Sequence, residues 1–222
     1  MPKVPKYIAI EGNIGVGKTS LCRLLAKDWK CHLVLEQFTD NPFLPLFYKY
    51  PERYAFQVEL FFMTERYKQM QAQFMTQNIF HQQTIADYFF LKTLLFAKNN
   101  LFDEEYRLFH QLFLTLNNHA PSPDLLVYLH RPIPALKTNI RKRGRAMENQ
   151  IENEYLEKVQ AAYFEYFKNA TDFPILILDL EDKDFVNNLS IYEQVKQLIE
   201  QAPTEKKVHY YAANLLVQKD YM

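Results

Sequence analysis

The sequence has little glycine and cysteine, no long apolar run and no net charge. Its 26 Lys and Arg residues balance 26 Asp and Glu residues, which gives no broad basic surface for nucleic acid. Two cysteines, Cys22 and Cys31, are too few for a disulfide framework or a cysteine metal site. The longest apolar runs have the length of strands, not of membrane spans. We therefore expect a cytoplasmic protein with reduced thiols and a buried Cys22, and with neither nucleic acid nor a membrane as partner.

Enough apolar residues are present for a sizeable core. Hydrophobic residues make up 48% and charged residues 23% of the 222 residues, which is typical of a folded domain. A chain of this length suits one domain with at most a small appendage. We expect a domain at residues 1–202 and a polar C-terminal tail at residues 203–222.

Short apolar segments alternate with helical patterns along the chain. Strands are predicted at 7–10, 33–35, 84–86, 125–129 and 174–178. Helices are predicted at 19–29, 52–77, 90–117, 133–143, 152–168 and 190–199. This alternation indicates an α/β fold, a five-stranded parallel sheet with helices on both faces. Chemistry in such sheets collects at the carboxyl ends of the strands, which here carry Gly12, Glu36, Asp87, His130-Arg131 and Asp179.

The first predicted strand leads into a complete phosphate-binding motif. The pattern Gly-x-x-x-x-Gly-Lys-Thr is formed by Gly12, Asn13, Ile14, Gly15, Val16, Gly17, Lys18 and Thr19. In such a loop, backbone N–H groups and the following helix N-terminus surround an anion. The lysine reaches the outer phosphates, and the threonine hydroxyl can bind Mg²⁺. The motif predicts a phosphotransferase that uses ATP and Mg²⁺.

The four glycines of the chain point to a second part of the site. Three lie in the phosphate loop, and the fourth lies in Arg141-Lys142-Arg143-Gly144-Arg145. A solvated helix end would also explain this run, because cations are favoured there. Beside a phosphate loop we favour a mobile arginine lid over the transferred phosphoryl group, since the guanidinium fork matches phosphate oxygens.

Two strand-end carboxylates complete the predicted site. Glu36 ends the second strand, which we place next to the phosphate-loop strand, and could serve as the base for an attacking hydroxyl. Asp87 ends the third strand and could hold Mg²⁺ through water or orient the acceptor. Either carboxylate could instead cap a helix or loop. Together, at these positions, they favour a kinase that acts on a hydroxyl.

Several motifs in combination resemble the deoxynucleoside kinase family. They are Ile10 to Thr19, Glu36, Tyr48, Pro51-Glu52-Arg53, Phe56-Gln57, Arg143-Gly144-Arg145 and Glu154 to Lys158. The similarity runs from about residue 7 to residue 185 and is greatest to bacterial deoxyguanosine and deoxyadenosine kinases. It implies phosphorylation of the 5′-hydroxyl of a deoxynucleoside, with a purine favoured, by a homodimer in nucleotide salvage.

The resemblance implies roles for residues on the acceptor side. Glu36 would accept the proton of the 5′-hydroxyl. Tyr48 and Glu148 would bind the sugar 3′-hydroxyl, which explains a preference for deoxyribose. Gln57 would hydrogen-bond the base edge from the apolar face of its helix, and Asp87 would lie near the acceptor and the metal.

The resemblance implies roles on the donor side as well. Arg143 and Arg145 would be lid residues on the phosphates, and Arg143 would assist the transfer. Arg141 is a further lid candidate. Asp184 and Phe185, in the segment after the fifth strand, would lie against the adenine of ATP.

Two positions depart from the family pattern. Relatives usually have Asp/Glu-Arg-Ser after the third strand, whereas this chain has Asp87-Tyr88, so the arginine is missing and the lid arginines are candidates to replace it. Many relatives carry an arginine seven residues after the glutamine, where this chain has Thr64. Arg66 lies two residues further and points elsewhere on ideal helix geometry, and Lys92 falls near a family aspartate. The preferred base therefore stays open.

Two other functions remain alternatives. A nucleoside monophosphate kinase of the thymidylate type would share the fold and the lid, but its phosphorylated acceptor calls for an arginine where we place Glu36. A non-catalytic subunit or nucleotide sensor would tolerate the loss of Lys18, Thr19 or Glu36, and all three are present.

Overall fold

A computed structural model describes residues 5–36, 41–74, 83–117, 120–211 and 218–219. Its strands are β1 (Tyr7–Gly12), β2 (His32–Val34), β3 (Thr84–Ala86), β4 (Leu125–His130), β5 (Ile175–Asp179), β6 (Val208–Tyr211) and β7 (Gln218–Lys219). Its helices are α1 (Lys18–Trp29), α2 (Leu44–Lys49), α3 (Pro51–Phe74), α4 (Lys92–Asn100), α5 (Asp103–Asn117), α6 (Ile133–Arg143), α7 (Asn153–Asn169) and α8 (Leu189–Glu200), with a 3₁₀ helix at Ala146–Gln150. The end of the predicted helix 52–77 lies outside the described residues.

The strands form a single sheet in the order β2-β3-β1-β4-β5-β6-β7. The first six are parallel, and β7 runs antiparallel to β6. The predicted α/β architecture is confirmed, but the sheet has more strands than the five predicted. The extra parallel strand, β6, lies in the segment predicted as a polar tail. Its residues pack on the core through Val208, Tyr210 and Tyr211, a β-branched and aromatic pattern that suits a half-buried strand.

The order of the strands differs from the prediction at one point, the neighbours of β1. Ala86 of β3 pairs with Ala9 of β1 on one side and with Val34 of β2 on the other. The expectation that the Glu36 strand lies next to the phosphate-loop strand is therefore wrong, because β3 separates them. Asp87, directly after β3, lies between the phosphate loop and Glu36.

The sheet is buried on both faces. Along β4, Leu125, Val127 and Leu129 pack into one core with α1, α6 and α8, while Leu126 and Tyr128 pack into the opposite core with α7. A strand covered on both sides must be apolar throughout, which is why β4 was visible as a continuous apolar run.

A third cluster joins α3, α4 and α5. It includes Met63, Phe109 and the stacked rings of Phe90 and Phe113, whose centroids lie 5.1 Å apart. The single helical region predicted at 90–117 is two helices, because the backbone is extended at Leu101, with φ −100° and ψ 149°. The cluster packs α3 and α4 together beside the carboxyl ends of β2 and β3.

Cys22 and Cys31 are both free, as expected, and both are buried. In the described part of the chain, no helix is long and apolar enough to cross a membrane.

Candidate active site

The phosphate loop bends sharply between β1 and α1. Gly12, Gly15 and Gly17 all have positive φ, and a Cβ on Gly17 would lie 2.9 Å from Cζ of Phe185. Lys18 donates from Nζ to the carbonyl oxygens of Gly12, at 2.7 Å, and Asn13, at 3.1 Å. Burial first, and then the nearby Lys92, lower the pKa of Lys18 to about 8. The lysine therefore lies inside the curve of the loop, where the motif places it.

Hydrogen bonds to two helices fix the shape of the loop. Asn13 donates from Nδ2 to the carbonyl oxygen of Leu156 on α7, at 2.7 Å, and accepts from the backbone N–H of Ile14, at 2.8 Å. Asn139 on α6 donates to the carbonyl oxygen of Gly15, at 2.9 Å. The loop is preorganised for an anion by contacts outside the motif itself.

Arg131, directly after β4, links the loop to the segment after β5. Its guanidinium donates to the carbonyl oxygens of Val16 at 3.2 Å, Glu181 at 2.9 Å and Lys183 at 2.5 Å. It also lies 5.8 Å from the ring centroid of Phe185, which is buried. The sequence marked Arg131 only as a strand-end residue. The structure shows that it positions the predicted adenine-contacting segment.

Asp184 has a visible structural role in that segment. Its side chain is exposed, and Oδ1 accepts hydrogen bonds from the backbone N–H groups of Val186, at 2.9 Å, and Asn187, at 3.1 Å. These contacts cap the turn that leads into α8. The predicted contact of Asp184 and Phe185 with adenine stays a prediction.

Asp87 joins the two residues predicted to work with it. Thr19 donates from Oγ1 to Oδ2 of Asp87, at 2.5 Å, and the backbone N–H of Glu36 donates to Oδ1, at 2.6 Å. Burial raises the pKa of Asp87, followed by the charge of Glu36. The hydroxyl of Thr19 and the carboxylate of Asp87 are the hard oxygen donors that suit Mg²⁺.

A protein cage for a metal ion is not seen in the described residues. Among them, no three His, Cys, Asp or Glu side chains are grouped so as to hold a metal. Mg²⁺ usually takes one or two protein oxygens together with phosphates and water. The Thr19–Asp87 pair fits that mode of binding.

Glu36 is clamped by two buried cations. Arg66 donates from Nε to Oε1 at 2.7 Å, and the Nζ of Lys92 lies 2.7 Å from Oε2. Arg66 is held in turn by the hydroxyl of Thr93, at 2.8 Å. Burial alone would raise the pKa of Glu36, but Arg66 and Lys92 outweigh it and hold the pKa well below its usual range. Glu36 is therefore an ionised carboxylate.

Arg66 and Lys92 lie near Tyr88, the position at which relatives carry an arginine. Tyr88, which stands at the arginine position, is buried in a small cluster with Val34 and Ala86. Lys92, at the start of α4, and Arg66, on α3, supply the positive charge beside Glu36. That the lid arginines supply the missing arginine's contact with the phosphate or the 5′-hydroxyl stays a prediction.

The predicted arginine lid is bound to its own carboxylate. Gly144 ends α6 with a left-handed backbone, and the 3₁₀ helix that follows carries the buried Glu148. Arg143 binds Oε2 of Glu148 through Nη2 and, at 3.0 Å, through Nε; Arg145 binds Oε1 at 3.1 Å. Arg141 is exposed.

Tyr48 on α2 lies close to the Glu148 cluster. Burial raises the pKa of its phenol, and the negative charge of Glu148 adds to the effect. The structure thus brings together Tyr48 and Glu148, the pair predicted to bind the sugar. That role stays a prediction.

The prediction that Gln57 lies on the apolar face of α3 is wrong. Gln57 is exposed, while Glu59 and Arg66 are buried. Two residues along a helix correspond to about 200°, so Gln57 and Glu59 point to opposite sides. Many relatives have an arginine seven residues after their glutamine, and in this chain that spacing occurs between Glu59 and Arg66. Apolar residues occur on every side of α3, so its periodicity does not reveal which side is buried.

Glu59 is a buried acid that sequence reasoning missed. It is 2% exposed, and Oε1 accepts a hydrogen bond from Nδ2 of Asn100, at 2.6 Å. The same Nδ2 lies 3.3 Å from the hydroxyl of Tyr155. Burial raises the pKa of Glu59 to about 7. Glu59 is the one charged residue between Tyr54 and Thr64, and this isolated charge is the signal that could have found it.

Glu11, just before the phosphate loop, has a positioning role. It is 1% exposed, accepts from the backbone N–H of Phe89 at 2.7 Å and accepts from the hydroxyl of Tyr163 at 2.8 Å. Burial raises its pKa. Glu11 thereby joins the end of β1 to the β3–α4 connection and to α7.

The phosphate loop with its lysine and threonine, and an ionised carboxylate two strands away at the same edge of the sheet, define a P-loop kinase. The model of the deoxynucleoside kinase family matches residues 8–202. The chain belongs to the deoxynucleoside kinase family.

Individual relatives agree with this placement. The chain is 35% identical over 204 residues to the deoxyguanosine kinase of Bacillus subtilis (strain 168), covering 87% of this chain and 97% of the relative. It is 30% identical over 201 residues to the deoxyadenosine/deoxycytidine kinase of the same organism, covering 86% and 91%. The structure of deoxyadenosine kinase from M. mycoides with bound dATP superposes with a TM-score of 0.71 at 25% identity, covering 86% of this chain and 97% of that one.

Proposed function

We propose that this chain transfers the terminal phosphoryl group of ATP to the 5′-hydroxyl of a deoxynucleoside, with a purine deoxynucleoside favoured. The observation that carries the proposal is the ionised Glu36, joined through Asp87 to Thr19 of the phosphate loop. A carboxylate at that place can accept the proton of an attacking hydroxyl. It would repel the phosphate of a nucleoside monophosphate, which argues against the thymidylate-type alternative.

The donor side of the proposal rests on the phosphate loop. The backbone N–H groups of residues 12–19 and the ammonium group of Lys18 would bind the phosphates of ATP. Thr19 and Asp87 would hold Mg²⁺, which neutralises phosphate charge when bound. Lys92 brings a second cation to the same edge and can stabilise charge on the transferred group.

The lid and the sugar site share one cluster. We assign Arg143, Arg145 and the exposed Arg141 to the phosphates, where guanidinium groups stabilise transferring phosphoryl groups. Tyr48 and Glu148 would bind the 3′-hydroxyl, supported by their proximity in the structure. Asp184 and Phe185 would face the adenine of ATP, supported by the packing of Phe185 against Gly17.

Labelled phosphate transfer tests the function. The chain is incubated with γ-labelled ATP, Mg²⁺ and, separately, deoxyadenosine, deoxyguanosine, deoxycytidine, thymidine and the monophosphates of deoxyadenosine and thymidine. We expect labelled monophosphate from the purine deoxynucleosides and no labelled diphosphate. Label in diphosphates would favour the monophosphate kinase, and no transfer to any acceptor would favour the non-catalytic alternative. Lys18→Met, which removes the phosphate-binding ammonium, is the control for contaminating kinase.

We also propose a homodimer that acts in the cytoplasm. α5 exposes Leu108 and Leu112, one turn apart, at 52% and 40%. An exposed apolar stripe of this kind suits a subunit interface. Light scattering of the eluted protein should give twice the chain mass, and Leu108→Glu should shift it towards the monomer. The cytoplasmic assignment is supported by the two free thiols, Cys22 and Cys31.

A further inference from the structure

Glu59 is a buried acid that phosphoryl transfer does not use. It lies on the same face of α3 as Arg66, seven residues away, which corresponds to about 10 Å along the helix. Arg66 holds Glu36, at the end of the site where the 5′-hydroxyl reacts. Glu59 therefore lies at the distance from the reacting end that a sugar and a base would span.

Groups from several elements face Glu59. The hydrogen-bond donor is Asn100 on α4, and Tyr155 on α7 and Tyr48 on α2 lie close enough for Glu59 to raise the pKa of both phenols. The charged groups that act on it are Arg66 on α3, Lys92 on α4 and Glu36 after β2. The environment is polar on one side, but no described cation forms an ion pair with Glu59.

The contact with Asn100 fixes the role of one oxygen. An amide N–H can only donate, so Oε1 of Glu59 is an acceptor in both protonation states. The described residues form no hydrogen bond with Oε2. This oxygen accepts when the acid is ionised and donates when it carries the proton. With a pKa of about 7, raised by burial, both forms are populated near neutral pH.

The two purines differ in the partners that their Watson–Crick edge accepts. Guanine presents the acceptor O6 and two donors, the ring N1–H and the 2-amino group; the two donors match a carboxylate, and O6 with N1–H matches a carboxylic acid. Adenine presents an acceptor, ring N1, beside the 6-amino donor, which match only the O–H and the remaining oxygen of a carboxylic acid. Adenine before a carboxylate leaves buried acceptors facing each other unpaired, which is costly.

We propose that Glu59 contacts the Watson–Crick edge of the nucleobase and that its ionisation selects the base, the carboxylate taking guanine alone and the carboxylic acid admitting adenine as well. This inference rests on the proposed deoxynucleoside kinase activity. It makes Glu59 the specificity-determining residue of a purine site whose preference changes with pH.

The ratio of kcat/KM for deoxyguanosine to that for deoxyadenosine tests the proposal. Below its pKa Glu59 is protonated and accepts either purine, and above it the carboxylate accepts guanine alone. From about pH 6 to about pH 8 the protonated fraction falls from about nine tenths to about a tenth, so the ratio should rise by about 10-fold. Effects of Glu36 and Lys18 act on both substrates and cancel in the ratio. A ratio that stays constant over this range overturns the proposal.

Glu59→Gln sharpens the test. With Asn100 still donating to Oε1, the new amide N–H would face the base at every pH, as the O–H of the acid does. We expect a ratio that no longer depends on pH and that is close to the ratio of the unsubstituted protein at low pH. Glu65→Gln, a matched change at a partly exposed residue of α3 that pairs with Lys68, should keep the rise with pH. Unchanged pH dependence in Glu59→Gln would overturn the assignment.

Deoxyinosine and the acceptor panel separate the remaining outcomes. Deoxyinosine keeps the O6 and N1–H of guanine and lacks the 2-amino group, so it matches the carboxylic acid and not the carboxylate, and its kcat/KM should fall with pH. A rise with pH would contradict the contact with N1. If no deoxynucleoside is phosphorylated, the proposed function itself fails. If both purines are phosphorylated with a constant ratio, the function stands and the role of Glu59 fails.

Discussion

Arg66 donates from both Nε and Nη2 to a single oxygen of Glu36, at 2.7 and 2.5 Å, inside the protein. Lys92 binds the other oxygen, so the carboxylate is held in place and ionised before substrate binds. A carboxylate with so low a pKa is a weak base. We therefore expect proton transfer to accompany the movement of phosphoryl charge towards these cations, which would loosen their hold on Glu36.

Glu36→Gln should lower kcat by about 10²- to 10⁴-fold, the range for a lost general base. The affinity for ATP should change little, because the phosphate loop is intact. Steady-state kinetics with deoxyguanosine and equilibrium binding of ATP measure the two effects. Turnover near that of the unsubstituted protein would remove Glu36 from this role.

Lys92→Met should raise the pKa of Glu36. Burial disfavours the ionised carboxylate, and in the variant only Arg66 would offset that effect. Glu36 must be ionised to accept a proton, so the acid limb of kcat/KM should move to higher pH. The shift should be equal for deoxyadenosine and deoxyguanosine, which distinguishes it from titration of Glu59. Lys68→Met, at an exposed lysine on α3, is the matched control. A profile that does not move would show that Lys92 does not set the ionisation of Glu36.

Gly17→Ala should destabilise the protein more than Gly144→Ala. Both positions have left-handed backbones, with φ of 107° and 73°, which costs an alanine about 1–2 kcal/mol. At Gly17 the new Cβ would also lie 2.9 Å from Phe185, whereas at Gly144 it meets nothing within 4 Å. Urea unfolding measures the difference. Equal losses of unfolding free energy in the two variants would mean that Phe185 moves aside without destabilising the protein.

Gln57→Ala should leave KM for every deoxynucleoside nearly unchanged, because Gln57 is exposed on the far side of α3. Its effect on stability should stay within about 0.5 kcal/mol. The acceptor panel measures the first quantity and urea unfolding the second. A selective rise in KM for one base would restore the assignment made from sequence.

The parts that sequence predicted well are those that local patterns encode. Buried parallel strands are continuous apolar runs, so β3 and β4 were placed within a residue. The phosphate loop is a contiguous motif, and Lys18 and Thr19 lie where its chemistry requires. The α/β fold and the kinase family follow from these elements.

The parts that sequence missed depend on distant contacts. Whether β3 lies between β1 and β2 is not encoded within any one strand, and this order moved Asp87 between the loop and Glu36. On α3, the face that points inward is set by packing against α4 and α7. Residues such as Phe61 and Met63 lie on different sides of that helix, so hydrophobicity alone could not favour Glu59 over Gln57.

The lone pairs of Glu148 that accept hydrogen bonds from Arg143 and Arg145 cannot accept one from a sugar hydroxyl at the same time. A nucleoside that takes one oxygen of Glu148 would release an arginine for the triphosphate, and the triphosphate would release Glu148 for the nucleoside. The two substrates would then bind cooperatively, each increasing the affinity for the other by the same factor. A single acidic side chain would thus make the closed, water-free state depend on the presence of both substrates and would protect ATP from hydrolysis when only ATP is bound.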